Sequence, residues 1–148
     1  MFIRTLYYIG AMPHRNVSIV IFYTGDGKLL LQDRKGIAKF GEDYDFFGGG
    51  IEEGEGPRQA ILRELKEELD YVPHDLKFFK RFEFKIDAND SRTEYVFMSK
   101  SPKMGSIKVL EGKAAKLFTV QEALKLKLFP HDEDIIREFA RAKGFLLQ

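Results

Sequence analysis

The sequence contains no cysteine, which excludes disulfide bonds, thiol nucleophiles and cysteine-ligated zinc. No stretch approaches the roughly 20 apolar residues that are needed to cross a bilayer. The chain also has almost no net charge, because 24 basic residues nearly balance 23 acidic ones. We therefore expect no nucleic-acid partner and no membrane partner. The lack of cysteine is typical of a cytoplasmic chain, and any metal must bind to oxygen or imidazole.

The first part of the chain predicts strands that lead into a glycine-rich segment. A short apolar run in residues 1–12 predicts an opening strand. Residues 17–23 and Lys28–Asp33 flank an Asp-Gly turn, which predicts a β-hairpin. Residues 34–44 are polar and predict an exposed loop. Beyond them, two phenylalanines precede three consecutive glycines at 48–50, where the backbone is accessible.

The second part of the chain alternates helices with strands. Apolar residues at helical spacing predict a helix over Pro57–Leu69. Strands are predicted over residues 76–86, 93–99, 107–110 and 115–118. A capping box at Thr119 predicts a helix that ends near Lys127, and a final helix is predicted between Pro130 and Gly144. This order, without repeats, predicts an α/β fold with a mixed β-sheet between helices, in a single domain over residues 1–148.

Three glutamates share one face of the predicted helix. Glu64, Glu67 and Glu68 stand at positions i, i+3 and i+4. Such charges repel one another by on the order of a few tenths of a kcal/mol per pair, and a bound cation would relieve the repulsion. Oxygen ligands favour hard ions, so we predict Mg²⁺, with Mn²⁺ as an alternative. The cluster taken alone is more typical of a solvated helix surface than of a metal site.

The order and spacing of these residues resemble the Nudix box. Gly49 is followed after five residues by Glu55, and after seven more by the sequence Arg-Glu-Leu-Lys-Glu-Glu at 63–68. The chain is therefore identified as a member of the Nudix hydrolase family, most similar to its mutator-type branch, and the resemblance implies the Nudix α/β/α sandwich. Two positions depart from the pattern: Asp70 replaces a glycine, and Phe47 replaces a frequent proline.

The resemblance implies roles for residues of the box. Glu67 and Glu68 match metal ligands of the family, which are often joined by the backbone carbonyl at Gly49. Glu64 matches a residue that is the catalytic base in some members and a metal ligand in others. Arg63 matches an arginine that holds the carboxylates in place, and helical geometry lets it reach Glu67.

Residues outside the box are candidates for further roles. Glu111 resembles a later-loop glutamate that acts as metal ligand or base, and an exposed turn residue is the alternative. Arg34 resembles an arginine that contacts substrate phosphate, and a solvated strand end is the alternative. Phe47 is a candidate for stacking on a base, although most phenylalanines are expected in the core. Asp132 could read a purine edge, but a first-turn acid stabilises its helix anyway, which is the interpretation that we favour.

The resemblance implies an enzyme that uses Mg²⁺ to hydrolyse a phosphoanhydride bond of a nucleoside diphosphate-linked substrate. The first hypothesis is conversion of a nucleoside triphosphate, including oxidised ones, to a monophosphate and pyrophosphate. One alternative is an ADP-ribose or nucleotide-sugar diphosphatase. An alternative of another class is a catalytically silent domain that binds a nucleotide. The expected partner is a small-molecule nucleotide, and a homodimer is possible because family members often dimerise.

Overall fold

A computed structural model describes residues 14–38, 40–109 and 114–145 of the chain. The opening strand predicted in residues 1–12 lies outside this part. The strands are β1 His14–Tyr23, β2 Lys28–Asp33, β3 Tyr44–Asp45, β4 Phe47–Gly50, β5 Lys77–Asp87, β6 Asp90–Lys100 and β7 Ala115–Thr119. The helices are α1 Pro57–Leu69, α2 Val120–Ala123 and α3 Asp132–Lys143, and Met104–Ser106 form a 3₁₀ turn.

The strands of the described residues form one mixed sheet. Its order is β3-β2-β1-β6-β5, with β4 beside β1 and β7 beside β2. Strands β1 and β6 pair in parallel over ten residue pairs from His14 with Ser91 to Tyr23 with Lys100, while the other strand pairs are antiparallel. The predicted hairpin of β1 and β2 and the predicted mixed sheet are therefore confirmed.

Side chains of β1 alternate between two buried clusters on opposite faces of the sheet. Ile19 and Ile21 face α3, whereas Val20 and Phe22 face α1. Helix α3 contributes Ile135, Ile136 and Phe139 to the first cluster. Helix α1 contributes Ile61, Leu65 and Leu69 to the second. Because burying one such side chain stabilises the fold by about 1.5–3 kcal/mol, against about 0–1 kcal/mol for a surface ion pair, apolar packing fixes both helices on the sheet.

The ends of α1 are fixed by local contacts. Pro57 begins the helix, and its carbonyl accepts a hydrogen bond of 2.8 Å from the Ser18 hydroxyl on β1. Asp70 ends the helix in the left-handed conformation with φ 51°, and its N–H reaches the carbonyls of Leu65 and Lys66. The turn therefore forms with Asp70 in the place of the glycine that is usual in the box.

Two predicted elements differ from the structure. Residues 107–109 form no strand, because the Lys108 N–H donates to the carbonyl of Leu69 at the end of α1 instead of to the sheet; Leu110 lies outside the described residues. Helix α2 has the predicted capping box but ends at Ala123, well before Lys127. The carbonyl of Lys127 accepts bonds from Asp43 and Tyr44, so the chain there follows the β3 segment.

The loop over residues 34–44 is only partly exposed. The side chain of Glu42 in this loop is buried, and Tyr44 lies in β3 with 5% of its surface exposed. The exposed loop predicted over residues 34–44 is therefore correct for residues 35–37 and 40–41 and wrong for Glu42 and Tyr44. Hydrogen bonds from Asp43 and Tyr44 to the carbonyl of Lys127 hold that end of the loop against the chain that follows α2. No helix among the described residues is both long and apolar enough to span a membrane.

Candidate active site

The three glycines at 48–50 allow β4 to lie close to both β1 and α1. Gly48 has φ +146°, and a Cβ atom there would lie 2.7 Å from the Cα atom of Ile19. A Cβ atom on Gly49 would lie 2.5 Å from the carboxylate carbon of Glu64. The N–H of Gly48 donates to Glu68 at 3.1 Å. Only glycines leave space here, and two carboxylates of the helix rest directly against their backbone.

Arg63 joins the carboxylates of this region through its guanidinium group. It donates to both oxygens of Glu55, at 2.6 Å from Nε and 3.0 Å from Nη2. It also donates to Glu64 at 2.9 Å, to Glu67 at 3.3 Å and to the carbonyl of Gly50 at 2.9 Å. The hydrogen bond from Arg63 holds the pKa of Glu55 below its usual value. The guanidinium therefore ties the loop before α1 to the acidic face of the helix.

The donor atoms on this face suit a hard divalent cation. Glu64, Glu67 and Glu68 offer only carboxylate oxygens, and backbone carbonyls of the glycine segment lie beside two of them. In the described part of the chain, however, no three acidic or histidine side chains converge closely enough to hold a metal ion. The Glu67 side chain is 51% exposed and is free to turn inward, since it is held by one exposed contact with Arg63. The residues therefore fit Mg²⁺ in the chemistry of their donor atoms.

A cleft of about 470 Å³ opens beside the glycine segment. The backbone of residues 48–51 forms one side of it, and Arg34, Phe40, Arg92 and Phe129 line other parts. The guanidinium carbon of Arg92 lies 4.4 Å from the ring centre of Phe129 and 5.9 Å from that of Phe40. Glycine backbone is thus shared between the acidic face of α1 and a cleft that contains basic and aromatic groups.

Besides Glu42, three acidic residues line the same cleft: Asp45 of β3, Glu94 of β6 and Asp132 of α3. Burial raises the pKa of Asp45 to about 6 and that of Glu94 to about 7. Burial also raises the pKa of Asp132 well above its usual value, and the neighbouring Asp45 adds to this effect. Carboxyl groups in this acid cluster, as we call the three residues, therefore retain protons at pH values where exposed ones have lost them.

The structure brings some of the predicted substrate-binding residues to the cleft and not others. Arg34 and Asp132 line the cleft. Phe47, predicted to bind substrate, is fully buried in the cluster beneath α1 and does not line the cleft. That prediction is wrong because Phe47 packs on the α1 side of the sheet, whereas the neighbouring Phe46 packs in the opposite cluster and lines the cleft. Glu111 lies outside the described residues.

Sequence reasoning missed three of the cleft residues, namely Asp45, Glu94 and Arg92. A sequence signal existed for Glu94, which directly precedes the apolar run Tyr-Val-Phe-Met of β6. In the structure its side chain is only 2% exposed. Buried carboxyl groups are rare unless they are paired or functional. No local pattern marked Asp45 or Arg92, because their role depends on strands that are brought together only by the fold.

Comparison with known proteins assigns the family. The NUDIX domain model matches residues 12–139, and the chain therefore belongs to the Nudix family. The 8-oxo-dGTP diphosphatase of Escherichia coli (strain K12) is 30% identical over 75 residues, which are 51% of this chain and 58% of that protein. The 8-oxo-dGTP diphosphatase of Haemophilus influenzae is 36% identical over 58 residues, which are 39% of this chain and 43% of that protein. The chain thus matches only about half the length of these curated relatives.

A solved structure supports the fold over a longer range. The solution structure of the E. coli ORF135 protein matches with a TM-score of 0.71, covering 91% of this chain and 94% of that chain at 24% identity. This likeness, together with the mixed sheet between α1 and α3, confirms the predicted Nudix α/β/α sandwich.

Proposed function

We propose that this protein is a metal-dependent hydrolase that converts a nucleoside triphosphate, including oxidised forms, to a nucleoside monophosphate and pyrophosphate. One observation carries the proposal. The Glu64 carboxylate lies against the backbone of Gly49, and Gly49 also lines the cleft. Carboxylates and a nucleotide-sized space therefore meet at the same glycine segment, which can accommodate a phosphate chain without side-chain obstruction.

The residues that would hold the ion are Glu64, Glu67 and Glu68, together with the carbonyl of Gly49. Bound Mg²⁺ would polarise phosphoryl oxygens and offset the charge of the leaving phosphate. Within the protein, Arg63 keeps the Glu64 carboxylate in place through its 2.9 Å hydrogen bond. We assign to Glu64 the role of base, because a held carboxylate beside the cleft can accept a proton from water.

The reaction balances with water as its only co-substrate. The oxygen of water forms a bond to phosphorus, and the bridging P–O bond between the α- and β-phosphates breaks. One proton of the water passes to the carboxylate, and the phosphate group on the far side of the broken bond leaves with its electron pair, so that the products are monophosphate and pyrophosphate. Arg34 and Arg92 line the cleft and supply positive charge toward phosphate groups. The names of the two curated relatives, both 8-oxo-dGTP diphosphatases, support a nucleoside triphosphate as substrate.

An activity panel tests the proposal. The protein is incubated with Mg²⁺ and with nucleoside triphosphates, 8-oxo-dGTP, ADP-ribose or a nucleotide sugar, and the products are separated by anion-exchange chromatography. We expect monophosphate and pyrophosphate from a triphosphate. Turnover of ADP-ribose or a nucleotide sugar alone would support the diphosphatase alternative. Turnover of none of these compounds would contradict the proposal and support a silent binding domain.

Substitutions in the acidic face test the mechanism. Glu64→Gln should lower kcat by about 100- to 10,000-fold, because a positioned base contributes about that factor. Glu68→Gln should also abolish most activity, while its amide oxygen can still accept the N–H of Gly48. Glu83→Gln is the matched control, since Glu83 lies on β5 with a 62% exposed side chain and does not line the cleft. Unchanged turnover in both active-face variants would refute the assigned roles.

A further inference from the structure

We infer that a second pocket, lined by Lys77, Lys100 and Lys143, binds an anion that carries two or more linked phosphate groups. This lysine pocket has a volume of about 460 Å³. It shares no lining residue with the cleft beside the glycine segment. The inference goes beyond the proposed function and does not depend on it, because the residues that it uses belong neither to the acidic face of α1 nor to the cleft.

The lysine pocket lies where the two parallel strands of the sheet end. Strand β1 ends at Tyr23 and β6 ends at Lys100, and both residues line the pocket. The cleft is lined instead by residues 14–17 and 19 of β1. A strand advances about 3.3 Å per residue, so His14 and Tyr23 lie about 30 Å apart. The two sites therefore lie toward opposite ends of β1 and can be occupied separately.

The three lysines come from three different elements. Lys77 begins β5, Lys100 ends β6 and Lys143 ends α3. All three residues are exposed. Within residues 14–38, 40–109 and 114–145, no carboxylate forms an ion pair with any of them. The fold therefore gathers three positive charges around one pocket and leaves their ammonium groups available to a ligand.

The acidic residue that lines the lysine pocket is held by its own part of the chain. One oxygen of Asp75 accepts a hydrogen bond of 2.6 Å from the Ser99 hydroxyl, and the other accepts one of 3.0 Å from the backbone N–H of Lys100. Three lysines and one aspartate leave two positive charges at the pocket while His74 is neutral. The whole chain has a net charge of only +1. Positive charge is thus concentrated here, and a bound anion would relieve the repulsion between the lysines.

Aromatic packing fixes part of the pocket before any ligand binds. The Nζ atom of Lys143 donates to the Tyr23 hydroxyl at 3.3 Å and lies 4.5 Å from the centre of the Tyr23 ring. That ring packs on Phe139 of the core, with 5.4 Å between ring centres. On another side of the pocket, Tyr71 packs edge-on against Phe22 at 6.0 Å. Groups that are already ordered lose less conformational entropy when they bind a ligand.

The charge and size of the lysine pocket indicate the class of ligand. A carboxylate carries one negative charge and can balance only one ammonium group. A phosphate group carries about 1.5–2 negative charges near pH 7, so a chain of two or more can contact several lysines at once. Lysine binds phosphate as a point charge and needs no planar geometry. The volume also falls within the range of about 300–1,000 Å³ that is usual for small-molecule sites.

Titration calorimetry with inorganic tripolyphosphate tests the inference. The titration is done at pH 7 in EDTA, so that no divalent ion can bring the anion to the acidic face of α1. We expect saturable binding to one site with a Kd below about 1 mM. Lys77→Gln and Lys143→Gln should each weaken binding about threefold, and the double variant about tenfold. Lys116→Gln is the matched control, because Lys116 is exposed on β7 and does not line the pocket.

Amide NMR signals of the unsubstituted protein locate the bound anion and identify its source. Tripolyphosphate should shift the amides of Lys100 and Ser101 and leave those of Gly48 and Gly49 unchanged. The same titration with ADP distinguishes a free phosphate chain from a nucleoside diphosphate. Tighter binding of ADP at the same amides would assign the nucleotide, whereas equal or weaker binding would assign the inorganic chain. Both results support a site for linked phosphates.

Four results would each overturn the inference. They are the absence of saturable binding, equal affinity for sulfate, amide shifts centred on residues 48–50, and an equal loss of affinity in Lys116→Gln and in the pocket variants. The titration contains no metal and measures no turnover. A protein that binds tripolyphosphate as expected but hydrolyses no nucleotide would therefore refute the proposed function and leave this inference intact.

Discussion

Replacing Gly49 by alanine should disable the proposed site without unfolding the protein. The new Cβ atom would lie 2.5 Å from the carboxylate carbon of Glu64, whereas non-bonded carbons pack about 3.5–4.0 Å apart. The carboxylate must therefore move by at least about 1 Å, and it can do so because it ends a flexible side chain. A misplacement of about 1 Å can lower a rate by about 100-fold. We expect kcat/KM to fall by about that factor.

The assay pairs activity with stability. Hydrolysis of the best triphosphate substrate gives kcat/KM, and urea unfolding followed by circular dichroism gives the free energy of unfolding. For Gly49→Ala this free energy should change by less than about 1 kcal/mol, since the backbone needs no unusual φ there. Gly105→Ala is the control, because a Cβ atom there would meet no atom within 4 Å.

Gly48→Ala provides the contrast. Its φ of +146° and its contacts with the backbone of β1 leave no flexible group to move, so it should destabilise the fold by about 1–3 kcal/mol. The reasoning would be refuted if Gly49→Ala kept its activity within threefold of the original protein. It would also be refuted if Gly48→Ala and Gly49→Ala lost the same stability. The lost activity of Gly49→Ala would then follow from unfolding rather than from the displaced Glu64 carboxylate.

Three further predictions follow from the same contacts. Arg63→Lys keeps the charge but loses the paired hydrogen bonds to Glu55, so kcat should fall about tenfold in steady-state assays, and an unchanged kcat would contradict the positioning role. Removal of divalent ions with EDTA should abolish hydrolysis, and added Mg²⁺ should restore it; activity that survives chelation would exclude a metal mechanism. Burial raises the pKa of Asp45 to about 6 and that of Glu94 to about 7, so the folded chain keeps protons that the unfolded chain releases above about pH 4. The stabilisation that these retained protons give to the folded state should therefore be lost as pH rises from about 4 to 7. Urea unfolding at several pH values should show a smaller loss of stability for Asp132→Asn than for the unsubstituted protein. An identical pH dependence of the two proteins would contradict the role given to the acid cluster.

Local signals in the sequence were sufficient for much of the scaffold. The apolar spacing of Pro57–Leu69 predicted α1 with its observed ends, and Asp70 takes the left-handed conformation that ends the helix. The Asp-Gly turn predicted the hairpin of β1 and β2. These features depend on residues that are near one another in the chain, where periodicity and turn chemistry decide the structure. The glutamate face followed from the helix by geometry alone.

Features that depend on distant contacts were not predictable in this way. Residues 107–109 carry an apolar pattern that is typical of a strand, but a backbone hydrogen bond to Leu69 holds them against α1 instead. Phe46 and Phe47 are indistinguishable by composition, and only the register of β4 decides which one faces the cleft. Asp45 and Glu94 meet because β3 and β6 lie in one sheet, which no local pattern specifies.

Binding of Mn²⁺ in the presence of a non-hydrolysable nucleoside triphosphate analogue tests the central claim most directly. The paramagnetic ion broadens backbone amide NMR signals that lie close to it. The account predicts that the amides of Gly48, Gly49 and Glu68 broaden first, and that Glu67→Gln weakens the effect. Broadening centred on another part of the chain, or none at saturating nucleotide, would contradict a metal site on the acidic face of α1.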